Sequence, residues 1–356
     1  MLNALNKISL IFTKFYFANI IFYLIVDYKY VIFLLFIAEM DFSQEIINWY
    51  GLNKRDLPWR KTKDPYKIWL SEIILQQTKV AQGLPYYLKF CQTFPDVQKL
   101  ANAKEEEVLK LWQGLGYYSR ARNLHFASKQ IINSFEGKFP ENYKDIISLK
   151  GVGEYTAAAI ASFAYKLPHA VVDGNVFRLL SRFYGIDTAI NSSSGKKIFS
   201  ELAQTVLDKT KADTNNQAIM EFGALMCKPK DPDCNNCPLK EGCKAFQNNE
   251  IDKLPIKIKK GKQKKLYFEY LFVTNKENTY IKKRVEKGIW QNLYEFPFIE
   301  FTESKSEEEV IKSIQNQEFL KQAKFEFLKT SEIHKHILSH RIINGRVWHI
   351  EIEEKL

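Results

Sequence analysis

The spacing of apolar residues changes twice along this chain, and each change marks a boundary. From Ile8 to Val26, and again from Tyr30 to Ala38, Ile, Phe, Leu and Tyr crowd together, interrupted by Lys14, Asn19 and Asp27. Neither run is a clean span of about 20 apolar residues, and Phe36-Ile37-Ala38-Glu39 is a poor small-x-small cleavage site. Segment 1–40 is therefore expected to be an apolar extension and not a signal peptide: upstream sequence ahead of a start at Met40, favoured because amphipathic helix begins at Asp41, with a membrane anchor as the weaker alternative. From Asp41 the pattern becomes amphipathic helix and stays so to residue 250. Asp64-Pro65 predicts a helix start, with Asp as N-cap and Pro in the first turn. Tyr66, Trp69, Leu70, Ile73 and Ile74 then share one face. Further helices are predicted over 79–92, 104–112, 118–134, 154–165, 175–184, 195–208 and 213–226, with Pro95, Pro140 and Pro168 in the breaks.

After residue 250 the period shortens. Segment 251–265 is rich in lysine, with one Pro and one Gly, and reads as a solvated linker. Leu266–Thr274, Tyr280–Lys283, Leu293–Phe298, Glu332–Leu338 and Arg346–Glu351 carry the aromatic and β-branched runs of strands, and Ser306–Asn316 one amphipathic helix. The pattern predicts a mainly α domain over 41–250, then an α+β domain over 266–356. A chain of 356 residues has room for both cores.

A net charge of +11 favours a polyanionic partner. Five cysteines, four of them between Cys227 and Cys243, do not look like a disulfide framework, so a reducing compartment is expected. Cys227-x6-Cys234-x2-Cys237-x5-Cys243 can wrap a polynuclear centre, and all-cysteine ligation of this sort holds a [4Fe–4S] cluster. A structural zinc also accepts four cysteines, usually as two matched Cys-x2-Cys knuckles. Only one knuckle exists here, which favours iron–sulfur. Lys228, Lys230, Lys240 and Lys244 surround these cysteines and suit a loop that meets phosphate.

The most informative stretch is Leu149-Lys150-Gly151-Val152-Gly153-Glu154-Tyr155-Thr156-Ala157, followed by Val172-Asp173-Gly174-Asn175. Gly151 and Gly153 open a helix in a tight turn whose N–H groups are free to meet a phosphate. Asp173 then stands on a second turn leading into a helix. An ordinary helix-turn-helix corner with a surface Asp has the same local pattern; neighbouring motifs separate the two. Glu72 lies one turn before Gln76 on the helix begun by Pro65, between Trp69 and Ile73. Burial among apolar groups raises a carboxyl pKa, which suits a general acid near neutral pH.

Asp56-Leu57-Pro58-Trp59-Arg60, Trp69-Leu70-Ser71-Glu72-Ile73-Ile74-Leu75-Gln76-Gln77-Thr78 and Gly114-Leu115-Gly116-Tyr117-Tyr118-Ser119-Arg120, with the hairpin and the four cysteines, resemble the helix-hairpin-helix DNA glycosylases, the endonuclease III superfamily. Within it, the chain is similar to the adenine DNA glycosylases (the MutY family), and the resemblance covers 41–356. It implies that Glu72 protonates N7 of a flipped-out adenine and that Asp173 stabilises or traps the cationic sugar, supported by Asn175. Bifunctional relatives carry a Schiff-base lysine where this chain has Tyr155, so the resemblance implies a monofunctional enzyme with Tyr155 packed or hydrogen-bonded near Asp173. Gln76, Gln77, Thr78, Leu115, Tyr117, Gly151, Gly153 and Arg120 become expected DNA contacts, with Tyr117 as a wedge. Arg122, Arg178 and Arg182 are expected to grip the duplex as well.

The C-terminal domain resembles a MutT (Nudix) fold through Gly288-Ile289-Trp290-Gln291-Asn292-Leu293-Tyr294-Glu295-Phe296-Pro297. Ser306-Glu307-Glu308-Glu309 does not reproduce the catalytic Nudix core, so lesion recognition is the expected task. His336-Ile337-Leu338-Ser339-His340 matches the loop that reads 8-oxoguanine, with Ser339 and His340 as contacts and Leu338 where the family has Phe. The implied partner is double-stranded DNA with adenine opposite 8-oxoguanine or guanine. The implied protein is a cytoplasmic, nucleoid-associated monomer with no small-molecule cofactor. Its rivals are an oxidised-pyrimidine glycosylase, disfavoured by Tyr155, and a catalytically silent DNA-binding module, disfavoured by the Glu72 and Asp173 pair.

Overall fold

The computed structural model describes residues 42–259, 261, 263–276, 278–321, 323–338 and 340–353. Expectations for segment 1–40 and for Ser339 lie outside the described residues. Two compact units form. One takes in the described residues through Gln77 together with Gln130–Ile258, and the other joins Thr78–Lys129 to the residues from Lys259 onward.

The first unit is helical: α1 (Phe42–Asn53), α2 (Pro65–Leu75), and, after the helices of the second unit, α7 (Tyr143–Ser148), α8 (Glu154–Tyr165), α9 (Gly174–Tyr184), α10 (Ser193–Val206), α11 (Ala212–Leu225) and the short α12 (Lys244–Gln247). Helix α11 packs against α1, α8 and α9, and α2 packs against α8. Ile46, Trp69, Leu70, Ile74, Phe199 and Phe222 are fully buried in this unit, each side chain contributing about 1.5–3 kcal/mol by leaving water. Asp64 caps α2 by accepting the Tyr66 N–H, as its sequence position predicts. Helix α7 falls in a predicted break: at six residues it is too short to show a helical period.

The backbone of the predicted linker is engaged at its start. Arg182 donates Nε to the Leu254 carbonyl, Ile190 donates its N–H to Ile256, and Asn191 pairs with both backbone groups of Ile258. Among the described residues, Lys253, Lys257, Lys259, Lys264 and Lys265 of this segment are exposed.

The second unit contains α3 (Val80–Thr93), α4 (Val97–Asn102), α5 (Glu105–Trp112) and the first part of α6 (Ser119–Ser134). Its sheet is built from β1 (Lys264–Asn275), β2 (Asn278–Thr279), β5 (Phe298–Phe301), β6 (Phe325–Thr330), β7 (His334–Ile337) and β8 (Arg341–Ile352). The strand order is β2-β1-β8-β6, with β5 on β1 and β7 on β8. A separate hairpin pairs β3 (Lys282–Lys283) with β4 (Tyr294–Glu295). The central pair β1 and β8 runs parallel from Lys264↔Arg341 to Thr274↔Glu351. Helix α13 (Glu307–Gln315) lays Val310 and Ile314 on Leu271, Val273, Trp348 and Ile350.

The strand predicted over Leu293–Phe298 is divided into β4 and β5. Pro297 has no N–H for a ladder, and its carbonyl instead accepts the Leu271 N–H. Tyr280–Lys283 is reduced to β3. Strand β6 was not predicted, although Phe325 and Phe327 alternate with Glu326 in the period of a strand. Among the described residues, no helix is long and apolar enough to cross a membrane.

Candidate active site

Helix α2 carries Glu72 on its buried face, 7% exposed among the apolar residues that fix the helix. Helix α8 brings Tyr155 to it, and the phenol donates to Glu72 Oε2 at 2.7 Å. Burial raises the Glu72 carboxyl to about 7; the Tyr155 hydrogen bond and the positive charge of Arg60 oppose this, and the charge of Asp173 adds to it. Asp173 is the N-cap of α9, its Oδ1 accepting the Asn175 and Val176 N–H groups at 2.8 Å each. Asn175 Nδ2 donates to the other carboxylate oxygen at 2.8 Å. Burial raises the Asp173 pKa, and these donors pull against that rise. One electrostatic neighbourhood therefore holds two acids 101 positions apart in the chain, with Tyr155 bonded to Glu72 and feeling the charge of Asp173.

Gln76 follows on the face of Glu72 and donates to Thr156 Oγ1 at 3.3 Å. Gln77 is exposed with φ of 55°, a left-handed conformation that ends the helix. In the hairpin between α7 and α8, Gly151 takes φ of 79° and Gly153 is the N-cap of α8. Both are exposed, and Gln130 steadies the turn by accepting the Lys150 N–H and donating to the Ser148 carbonyl. A cleft of about 1090 Å³ runs from Gln76, Gln77 and Tyr155 along Gly151 and Gly153 to Lys196.

Two of the arginines expected to grip DNA are turned inward instead. Arg178 is 9% exposed: its guanidinium donates to the carbonyls of Cys227 and Gly223 and to Asn175 Oδ1. Arg182, 2% exposed, donates to the carbonyls of Leu254, Lys228 and Pro229 and approaches Cys227 Sγ at 3.5 Å. A planar guanidinium with five donors suits clustered carbonyls where the chain has no regular structure. Their charges serve the interior.

Cys227, Cys234, Cys237 and Cys243 line one small cavity with Leu179, Arg182 and Phe222. Burial pushes the Cys237 thiol up to about 12, and the other three cysteines reinforce the shift. Among the described residues, no three His, Cys, Asp or Glu side chains are gathered as ligands of a single metal ion.

A second acid was missed by sequence reasoning. Glu221, 1% exposed on α11, accepts hydrogen bonds from both Arg55 and Arg60. Burial pushes its carboxyl up, but the two guanidinium groups more than offset this and leave it at about 2. Arg60 belongs to the Asp56–Arg60 motif; a lone acid on the apolar helix 218–225 was the available signal for its partner.

In the second unit, Gly114 and Gly116 take positive φ in the turn before α6, and Tyr117 stands there 48% exposed at φ of 47°. Leu115 is buried. Arg120 folds back on the turn, donating to the Leu115 and Gly116 carbonyls at 3.2 Å and lying 5.0 Å from the Trp112 ring. Its role in this unit is to brace the turn that presents Tyr117. Arg122 donates to the Gln291 carbonyl at 2.8 Å, so it holds the Gly288–Leu293 segment. Leu338 packs against the buried cluster of Leu266, Phe268 and Ile343, and His340 is exposed with its carbonyl accepting the Lys264 N–H.

A sequence model of the HhH-GPD superfamily of base excision DNA repair proteins matches residues 70–205, and a NUDIX domain model matches 269–356. The adenine DNA glycosylase of Buchnera aphidicola subsp. Baizongia pistaciae is 39% identical over 264 residues, covering 73% of this chain and 74% of that protein. The solved structure of a thermostable thymine-DNA glycosylase superposes with a TM-score of 0.55 at 31% identity, over 58% of this chain and 95% of that one. An endonuclease III–DNA complex shares the fold, with a TM-score of 0.51 at 20% identity over 58% of this chain and 94% of that one. Identity at this level over nearly three-quarters of both proteins shows that the chain belongs to the adenine DNA glycosylase family.

Proposed function

We propose that this enzyme removes adenine mispaired with 8-oxoguanine or guanine in double-stranded DNA, by hydrolysis and without cutting the strand. The observation that carries the reading is the Glu72 carboxyl, raised to about 7 while hydrogen-bonded to Tyr155 and close enough to Asp173 to feel its charge. A carboxyl half-protonated near neutrality can hand its proton to adenine N7 as the C1′–N9 bond breaks. The bonding electrons leave with the base, and positive charge develops on the deoxyribose, where the Asp173 carboxylate stabilises it. Water then adds at C1′ and yields an abasic site. Tyr155 has no amine to form a Schiff base, so the reaction ends there.

Gln76, Gln77, Thr78, Gly151 and Gly153 are proposed to receive the strand. The Gly151 and Gly153 N–H groups make no hydrogen bond among the described residues, which leaves them free for phosphate. Tyr117, exposed on its left-handed turn, is proposed to fill the space the adenine leaves.

The cysteine cavity fits a [4Fe–4S] cluster better than a single zinc. One zinc at about 2.3 Å from each sulfur demands four tightly converging thiolates, whereas in a four-iron cluster each thiolate takes its own iron. Cys227, Cys234, Cys237 and Cys243 would hold it. The bound cluster would supply a rigid core that orders loop 227–243 and presents Lys228, Lys230, Lys240 and Lys244 to phosphate. The domain division at 251–265 and lesion reading by 266–356 through Leu338, Ser339 and His340 complete the proposal, with the enzyme acting as a monomer.

The deciding measurement is single-turnover base release from duplexes carrying adenine opposite 8-oxoguanine, guanine, cytosine or thymine. Release opposite 8-oxoguanine and guanine, with alkali needed to cut the strand, is the expected result. Equal release opposite thymine, or cutting without alkali, would overturn it.

A further inference from the structure

The extended segment that delivers Asp173 is held by two carboxamides from neighbouring helices. Asn216, on α11 and 1% exposed, accepts the Val171 N–H at 3.1 Å and donates to the His169 carbonyl at 2.8 Å. Gln204, on α10, accepts the Ala170 N–H at 3.0 Å and donates to the Pro168 carbonyl at 2.9 Å. Each side chain therefore pairs with one N–H and one C=O, as an adjacent strand would, on a stretch that belongs to no helix or sheet. Val171 is buried between them and Asp173.

The chemistry demanded is specific. A carboxylate in place of either amide would keep the acceptor but set an oxygen against a carbonyl oxygen, and an apolar side chain would orphan both backbone groups. Asn175 and Val176 fix the carboxylate of Asp173 from the far side, by donors on α9 itself. Nothing on α9 fixes where the preceding backbone enters; the amides of α10 and α11 do.

We propose that Asn216 and Gln204 are positioning residues for Asp173, setting the distance of its carboxylate from Glu72 and from the reacting sugar. The inference rests on the sugar-stabilising role given to Asp173 above. The groups facing Glu72 are Tyr155 on α8, Asp173 at the start of α9 and Arg60 before α2, and of these only Asp173 adds negative charge. A displaced Asp173 loses its repulsion on Glu72, so the acid of the reaction titrates lower. A loss of folded protein would cut the rate and leave that titration in place.

The test compares full-length wild type, the uncharged Asn216→Leu and Gln204→Met, and Asp173→Asn on an adenine:8-oxoguanine duplex. Active enzyme is counted by binding to a duplex whose 2′-fluoro-adenosine resists cleavage. Both amide variants are expected to lose about tenfold or more in single-turnover rate per bound enzyme and to bind the uncleavable duplex as wild type does. The alkaline limb of their rate–pH profile should move to lower pH. Gln204 is only half-buried, so Gln204→Met is the milder change and keeps the test open should Asn216→Leu fail to fold. A rate loss with an unmoved limb, or a wild-type rate, overturns the inference. Asp173→Asn tells the two levels apart: if it keeps its rate, the role of Asp173 itself is wrong, and if it alone is inactive, only the positioning role is.

Discussion

Glu72 and Tyr155 stand 83 positions apart in the chain and meet oxygen to oxygen at 2.7 Å, with the phenol as donor. Two helices that share no local sequence signal are joined at a polar point of a largely apolar interface. Burial and the neighbouring carboxylates hold the phenol's own pKa well above its ordinary value, so Tyr155 keeps its proton and remains a donor throughout the working pH range.

Base release should decline as pH rises through about 7, where Glu72 loses its proton. Glu72→Gln should abolish release and leave affinity for the uncleaved duplex intact, measured by single-turnover kinetics and by titration of labelled DNA. The same shift bears on stability: a folded-state value near 7 above an unfolded 4.5 stabilises fully below 4.5 and is lost as pH rises through 7. The change is at most about 3 kcal/mol. Denaturant unfolding at several pH values should show this slope in wild type and not in Glu72→Gln.

Tyr155→Phe removes a hydrogen bond that favours ionised Glu72, so the alkaline limb should move upward in pH. Tyr155→Lys should gain weak strand nicking, with an adduct trapped by borohydride and seen as a slower band on a denaturing gel. No adduct would count against a residue-155 side chain reaching the sugar.

Glu221→Ala leaves Arg55 and Arg60 without their shared acceptor in a buried place. A loss of about 3 kcal/mol in unfolding free energy is expected. The alkaline limb of release should also move to lower pH, because Arg60, relieved of its partner, draws closer to Glu72 and favours its ionised form.

Gly223 faces Asn175 so closely that an added Cβ would lie 2.7 Å from the Asn175 Cβ and 2.9 Å from its carbonyl oxygen. Gly223→Ala should therefore push the start of α9 away and destabilise the protein by about 1–3 kcal/mol. Because Asn175 holds Asp173, the catalytic rate should fall further than the folded fraction does, measured by comparing circular dichroism with active-enzyme counts.

Leu338→Phe should add a stacking face beside the cluster that holds Phe268. The expected outcome is a larger ratio of adenine release opposite 8-oxoguanine to release opposite guanine, with little change in the rate opposite guanine.

Local signals carried much of the architecture into view. Asp64-Pro65 marked α2 because capping is chemistry within three residues, and the long helices showed their period. The glycine turn and the four cysteines were legible for the same reason. Long-range pairings were not. Glu221 meets Arg55 across 166 positions, and no local pattern encodes that. Arg178 and Arg182 read as surface cations because a sequence does not reveal carbonyls waiting inside a loop. Pro297 broke an expected strand by a rule available beforehand, yet the flanking aromatics concealed the break.

The C-terminal sheet is closed by its last strand. Strand β8 separates β1 from β6 and also carries β7, so β6 and β7 find a neighbour only once β8 has been made, and β1, already paired with β2 and β5, gains its parallel partner. Until then Leu271, Val273 and the α13 face they meet lack Trp348, Ile350 and Ile352, the part of their cluster that β8 supplies. A nonsense codon a dozen positions upstream would thus not trim an edge but leave the C-terminal sheet in a sticky, protease-prone form, while the helices through residue 77 and from 130 to 258 would keep the core they make among themselves.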